Sequence, residues 1–204
     1  MKVIAIASRK GGSSKTTLAV HIAGLAGAII LDADPQGSAG EWYGEREAET
    51  PLVIEVRPGE LVELVEQARA ENAPVIIDTP PHAEASIAEA MRVSDLVLIP
   101  VRPSLFDLRA AGATFDMAKA LKVPAAVILT QCPASSIIGE PSIVKEARQY
   151  LASIDAPVLK ATMGSRAAYQ HALISGSSAD EYEPAGKAAK EIAALWKEIR
   201  KHLA

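Results

Sequence analysis

The 204-residue chain contains a single cysteine, Cys132. One thiol excludes an intrachain disulfide framework and any structural zinc site built from several thiolates. It fits a reducing compartment. Aromatic residues are scarce as well, at 4%, so a core must come mainly from Ala, Val, Ile and Leu. Long hydrophobic runs are missing. The longest mostly apolar stretch, Leu18–Leu31, contains His21 and falls short of the roughly 20 residues of a bilayer span. At the start, Met1–Ser8 has an apolar run too short for a signal peptide, and a basic Gly-rich turn follows it. Bulk positive charge is absent too, with 21 basic side chains against 25 acidic ones, a net −4. A protein that coats nucleic acid by overall charge would look different, although a local basic patch is compatible with this balance. A soluble cytoplasmic protein is expected.

What is present is ordinary for a globular protein: 49% hydrophobic and 23% charged residues. The length suits a single domain over residues 1–204, with no room for an appended DNA-reading module. Short Val/Ile-rich runs occur at Val3–Ala7, Ala28–Ala33, Leu52–Val56, Val75–Asp78, Leu96–Val101, Ala125–Thr130 and Pro157–Leu159. They are apolar throughout rather than alternating, as in strands buried on both faces. Between them lie helical stretches at Thr16–Ala26, Glu60–Glu71, Ala83–Arg92, Leu108–Leu121, Ser142–Ser153, Arg166–Ile174 and Pro184–Leu203. Pro184 suits a first helical turn. The alternation predicts an α/β fold: a mostly parallel twisted sheet of about seven or eight strands, with helices on both faces. The polar stretch Ser175–Glu183 is expected to be a mobile loop. Charge is uneven. Residues 41–95 hold 13 acidic and 4 basic side chains, which leaves the remainder basic.

After the first run comes Arg9-Lys10-Gly11-Gly12-Ser13-Ser14-Lys15-Thr16-Thr17, and then a helix. Strand, Gly-rich turn, Lys-Thr and helix form the arrangement that binds nucleotide phosphates. Backbone N–H groups line a nest, and the helix N-terminus adds partial positive charge. Lys15 is expected to reach the β/γ-phosphates, and Thr16 to ligate Mg²⁺. The ordinary G-x-x-x-x-G-K-[ST] pattern does not fit, because Arg9 and Ser14 stand where its glycines should be. Two further strings support the reading. Leu31-Asp32-Ala33-Asp34-Pro35-Gln36 closes the second run, and Val75-Ile76-Ile77-Asp78-Thr79-Pro80-Pro81 closes a later one. Carboxylates at strand ends beside such a turn are where Mg²⁺ coordination needs them.

The turn resembles the deviant Walker A motif K-G-G-x-G-K-[ST]-T, with Lys10 as its signature lysine and Ser14 as the one departure. With the two Asp strings, and with Val93–Val101 followed by Pro103-Ser104-Leu105-Phe106-Asp107, the chain resembles ParA-type partition ATPases of the ParA/MinD family. It is most similar to the small ParF-like branch without a helix-turn-helix domain. The resemblance implies a P-loop NTPase fold of the deviant Walker A type. It also implies ATP/ADP and Mg²⁺ as ligands, and a homodimer that sandwiches two ATP molecules.

In that reading the nucleotide is held by Lys10, Gly11, Gly12, Ser13, Ser14, Lys15, Thr16, Thr17, Asp78, Thr79, Pro80 and, at the adenine, Gln131. Lys10 reaches the partner's phosphates, Lys15 acts in cis, and Asp34 positions the attacking water. Thr16 ligates Mg²⁺ directly, with Asp78 and Asp34 acting through water. Thr79 and the Pro80-Pro81 turn sense the γ-phosphate. Asp32 reads better as a structural carboxylate. Ser14 places a Cβ where the motif has glycine, so ATP binding with slow unstimulated turnover is expected.

The resemblance further implies nucleoid association through non-specific DNA, with Arg166, Lys190, Lys197, Arg200 and Lys201 as candidate contacts. It also implies a small centromere-binding, ParB-like partner that stimulates hydrolysis in plasmid or chromosome partition. The alternatives are positioning of a protein cargo over the nucleoid and a MinD-like membrane-associated regulator. The stripe Ile192, Leu195, Trp196, Ile199 and Leu203 has helical spacing, but it reads as core packing rather than as a membrane helix. No membrane partner is expected.

Overall fold

A computed structural model describes residues 2–134 and 139–203. Six strands and nine helices lie among them: β1 (Val3–Ile6), α1 (Lys15–Ala26), β2 (Ile29–Asp32), α2 (Ser38–Gly44), β3 (Val53–Glu55), α3 (Leu61–Ala70), β4 (Val75–Asp78), α4 (Glu84–Val93), β5 (Leu96–Val101), α5 (Leu105–Ala120), β6 (Ala125–Leu129), α6 (Ser142–Ser153), α7 (Ala167–Ile174), α8 (Ala179–Tyr182) and α9 (Lys187–His202). The sheet is parallel, in the order β3-β2-β4-β1-β5-β6.

Because side chains alternate along a strand, each apolar strand feeds both faces. Ile4 and Ile6 of β1 join Ile30, Ile76 and Leu98 under α1 and α9. Val3 and Ala5 join Leu31, Val75 and Ile77 under α3 and α4. The β5–β6 side of that second face is covered by α4, α5 and α6. The stripe on α9 is core: Ile192, Leu195 and Ile199 are fully buried. No described helix is long and apolar enough to cross a membrane.

Four expectations need correction. The strand count is six, since Pro157–Leu159 contributes only an isolated bridge, Val158 to Val127. Helix α9 starts at Lys187 behind Gly186, so Pro184 precedes the helix rather than opening it. The short helix α2 was not expected. Ser175–Glu183 is pinned, not loose. Arg46 donates to Gly176 O at 2.8 Å and pairs with Glu181, and Trp42 Nε1 donates to Ser177 O at 3.2 Å. Arg46 holds the Glu181 carboxyl down at about 2. A Cβ on Gly176, at φ +63°, would lie 2.4 Å from Glu45 O, so only glycine lets α2 seat here.

On the other side of that loop, Ala179 N–H donates to Nδ1 of the buried His21 at 3.1 Å. Burial lowers the His21 pKa to about 4. The unfolded chain therefore takes up this proton near pH 6.5 and the folded chain does not, so the stability this group contributes falls as pH drops from about 6.5 to 4. The loss attributable to His21 is about 3 kcal/mol. Asp78, raised to about 7 by burial, works with the opposite sign over the same window. The His21 contribution is therefore read as a difference. Between pH 6.5 and 4, urea unfolding of the parent is expected to lose about 3 kcal/mol relative to His21→Asn, which keeps an acceptor near Nδ1.

Candidate nucleotide site

Strand β1 lies between β4 and β5, so the turn that leaves it sits among the C-terminal ends of the strands, where sheets of this kind bind ligands. Among the described residues, no backbone N–H from Gly11 to Thr17 reaches a protein acceptor. The carbonyls, in contrast, are engaged. Lys10 O accepts from Ser13 Oγ at 3.3 Å, Ser13 O from Thr130 Oγ1 at 3.1 Å, and Gly12 O from Gln131 Nε2 at 3.1 Å. Ser14 O accepts the first helical N–H, from Leu18, at 2.9 Å. A loop with carbonyls tied back and N–H groups free is an anion nest. Gly12 takes φ +69°, which glycine adopts without steric cost. A cavity of about 220 Å³ opens over Gly11–Thr17, Asp34 and Pro81.

The acidic side is built by strand register. Asp78 is level with Asp32 on β2 and with Ile6 on β1. Asp78 is fully buried. Its Oδ2 accepts from Thr16 Oγ1 at 2.6 Å, and its Oδ1 has no partner among the described residues. Burial raises its pKa to about 7, against the pull of the Thr16 hydrogen bond. The nearby Lys15 is buried as well; desolvation lowers its pKa, and Asp78 and Asp34 counteract this. An orphaned carboxylate oxygen beside a hydroxyl and a lysine fits a divalent cation shared with phosphate. Mg²⁺ keeps several waters and takes few protein ligands. Asp32 is structural: its carboxylate accepts from the N–H groups of Asp34, Ala39 and Gly40. It thereby shapes the turn that carries Asp34 and starts α2.

Three expected site residues lie differently. Thr79 is fully buried and its hydroxyl donates to Ile6 O at 2.9 Å, so it is engaged with β1 rather than open to a phosphate. Pro80 lines a separate cavity with Pro35, Val56 and Leu61, and Pro81 is the proline at the phosphate loop. Lys10 pairs with Asp107 of its own chain, which Arg102 also binds at 2.6 Å. Burial alone would raise the Asp107 pKa, but the hydrogen bond from Arg102 and the neighbouring charge of Lys10 hold it below the usual range.

Gln131 lines a cleft of about 340 Å³ beside the phosphate loop, with Met163, Arg166 and Tyr169. Its size and place suit a base and ribose. Arg166 pairs there with Glu191 on α9 and so is not a free cation. Lys190, Lys197, Arg200 and Lys201 are all exposed on α9. A cavity of about 710 Å³ abuts Thr16 and Thr17 but lies mainly against Glu41, Trp42, Leu173 and Ile174, outside the nest. Sequence reasoning missed Asp107 and Thr130. Asp107 ends the string Pro103–Asp107, which gives no hint of its pairing with Lys10, whereas Thr130 has no signal, since its part depends on β6 reaching the loop.

A family model described as the CobQ/CobB/MinD/ParA nucleotide binding domain matches residues 4–202. The chain is 31% identical to the maintenance of carboxysome distribution protein A of Halothiobacillus neapolitanus, over 96% of this chain and 95% of that one. It is 34% identical to Protein ParA of Rhizobium radiobacter, over 52% of this chain and 51% of that one. Its fold matches the septum site-determining protein MinD of Pyrococcus horikoshii OT3, complexed with Mg-ADP, with a TM-score of 0.76 at 19% identity, covering 98% of this chain and 96% of that one.

Asp78→Asn is expected to weaken ATP binding about 10–100-fold in Mg²⁺ and to leave binding in EDTA nearly unchanged. Titration calorimetry under both conditions checks this.

Proposed function

The chain belongs to the CobQ/CobB/MinD/ParA nucleotide-binding family, and from that premise we propose an ATP-driven, dimerising switch that positions a protein cargo over the nucleoid. One observation carries the choice of cargo: the likeness to the carboxysome distribution protein runs nearly end to end in both chains. The likeness to Protein ParA covers about half of each chain. It favours plasmid or chromosome partition as the second reading, to which a ParB-like partner and a ParF-like place in the family would belong.

The mechanism follows from the site. The nest N–H groups and Lys15 hold the nucleotide phosphates. Thr16 would ligate Mg²⁺ directly, and Asp78 and Asp34 would do so through water. When bound, the ion neutralises phosphate charge and orients the leaving group. Asp34, on the turn shaped by Asp32, orients the attacking water. Lys10 leaves Asp107 and reaches the partner subunit's phosphates, where charge grows during transfer. Until a second copy arrives, the Asp107 pairing keeps this cation out of the site, so weak unstimulated turnover is expected.

The ATP-bound dimer presents Lys190, Lys197, Arg200 and Lys201 of both copies to DNA phosphates, without sequence reading. Such binding weakens steeply with salt. A small partner protein carries the cargo and stimulates hydrolysis, which releases the dimer from DNA.

Lys15→Ala is expected to abolish ATP binding. Lys10→Ala is expected to keep it but to lower stimulated phosphate release on the order of 10³-fold and to remove the ATP-dependent dimer in size exclusion. In the host, deletion of the gene is expected to cluster a cargo that is otherwise evenly spread, with plasmid retention unchanged. Increased plasmid loss with an unaltered cargo distribution would replace this reading with partition.

A further inference from the structure

Ser14 is the residue that departs from the deviant Walker A pattern, and it sits in the left-handed region at φ 74°, ψ 30°. That conformation costs a residue with a Cβ energy that glycine does not incur. Something must hold it. Gln131 Nε2 donates to Ser14 Oγ at 3.0 Å and to Gly12 O at 3.1 Å. Both amide hydrogens thus go to the phosphate loop, 117 and 119 residues away in sequence. Thr130, next to it, donates to Ser13 O at 3.1 Å. Two consecutive residues after β6 therefore tie down Gly12, Ser13 and Ser14.

We propose that Gln131 is a positioning residue for nucleotide binding: it braces Ser14 in the left-handed conformation that the phosphate loop requires. The inference rests on the nucleotide-binding reading and changes the part Gln131 plays in it. With both hydrogens engaged, the donor side of this amide supports the loop and leaves only Oε1 to face a base. A donor at position 131 and a serine at position 14 act as one unit, and a glycine at position 14 makes the brace dispensable.

The test is a double-mutant cycle on Mg·ATP affinity with the parent, Gln131→Ala, Ser14→Gly and the double variant. In the parent background, Gln131→Ala is expected to weaken binding about tenfold, equivalent to about 1.4 kcal/mol. In the Ser14→Gly background the same change is expected to cost clearly less, about two- to threefold, because only the contact to Gly12 O is then lost. Affinities for ATP and GTP, the latter by competition, are expected to fall together, so their ratio stays fixed. An equal loss in both backgrounds, or a loss confined to ATP, overturns the brace and returns Gln131 to the base. If the parent binds no nucleotide, the nucleotide reading itself fails. The brace is then judged on thermal unfolding without ligand. A larger drop in Tm from Gln131→Ala in the parent than in Ser14→Gly supports it, and equal drops overturn it.

Discussion

A loop that presents its N–H groups to an anion must turn its carbonyls the other way, and those carbonyls need donors. Much of this molecule answers that constraint. Strand order sets β1 between β4 and β5, with β6 next in line. The loop leaving β1 therefore has Asp78 on one flank and, on the other, the end of β6 with Thr130 and Gln131. The first flank supplies negative charge for a cation. The second supplies donors for outward carbonyls. A sheet in a different order would place neither within reach, so topology and binding chemistry are one requirement here.

The same economy of position governs the carboxylates. Asp32 and Asp78 are level on adjacent strands, yet their environments separate them. Asp32 accepts three backbone N–H groups and shapes a turn. Asp78 keeps one oxygen free and is pushed to about 7 by burial. In the free chain it is therefore poorly suited to carry full charge without a cation nearby. The turn built by Asp32 leads into α2, and α2 is clamped to the 176–181 stretch through Trp42 and Arg46. Asp34 thus sits between a fixed strand end and a helix tied to the elements that precede α9. A rearrangement of that turn on nucleotide exchange has a physical connection to the far side of α1.

The parallel α/β architecture and the phosphate loop were legible in the sequence because both rest on local patterns: apolar runs of strand length, and a Gly-rich turn ending in Lys-Thr. The strings around Asp34 and Asp78 were legible for the same reason. What was not legible depended on contacts between distant segments. Thr130 carries no local signature and the string that ends in Asp107 does not reveal its role, because the loop residues they bind, Ser13 and Lys10, lie about a hundred residues earlier in the chain. Thr79 looked exposed to a phosphate because it follows Asp78, but parallel pairing turns its hydroxyl onto Ile6. Ser175–Glu183 read as loose because it is polar. Its polar groups are the ones that bind Arg46 and complete a capping box on α8.

Net charge is the quantity whose meaning changes most with the fold. The −4 total combines an acidic block at residues 41–95 with a basic remainder. Within that block, α3 and α4 pack on the sheet face opposite to α1 and α9. Two helix layers, each about 10 Å across, and the sheet between them separate the two surfaces. That distance is well beyond the roughly 8–10 Å screening length at physiological salt. A polyanion approaching α9 therefore meets the local field of Lys190, Lys197, Arg200 and Lys201, with little repulsion from α3 and α4. Pairing of Arg166 with Glu191 removes one cation from that surface and leaves the exposed α9 residues to set its strength. The sheet separates the two signs for α3 and α4, whereas Glu41 of α2 and Glu45 at its C-terminal end lie on the α1 and α9 side and form the acidic border of that cationic face.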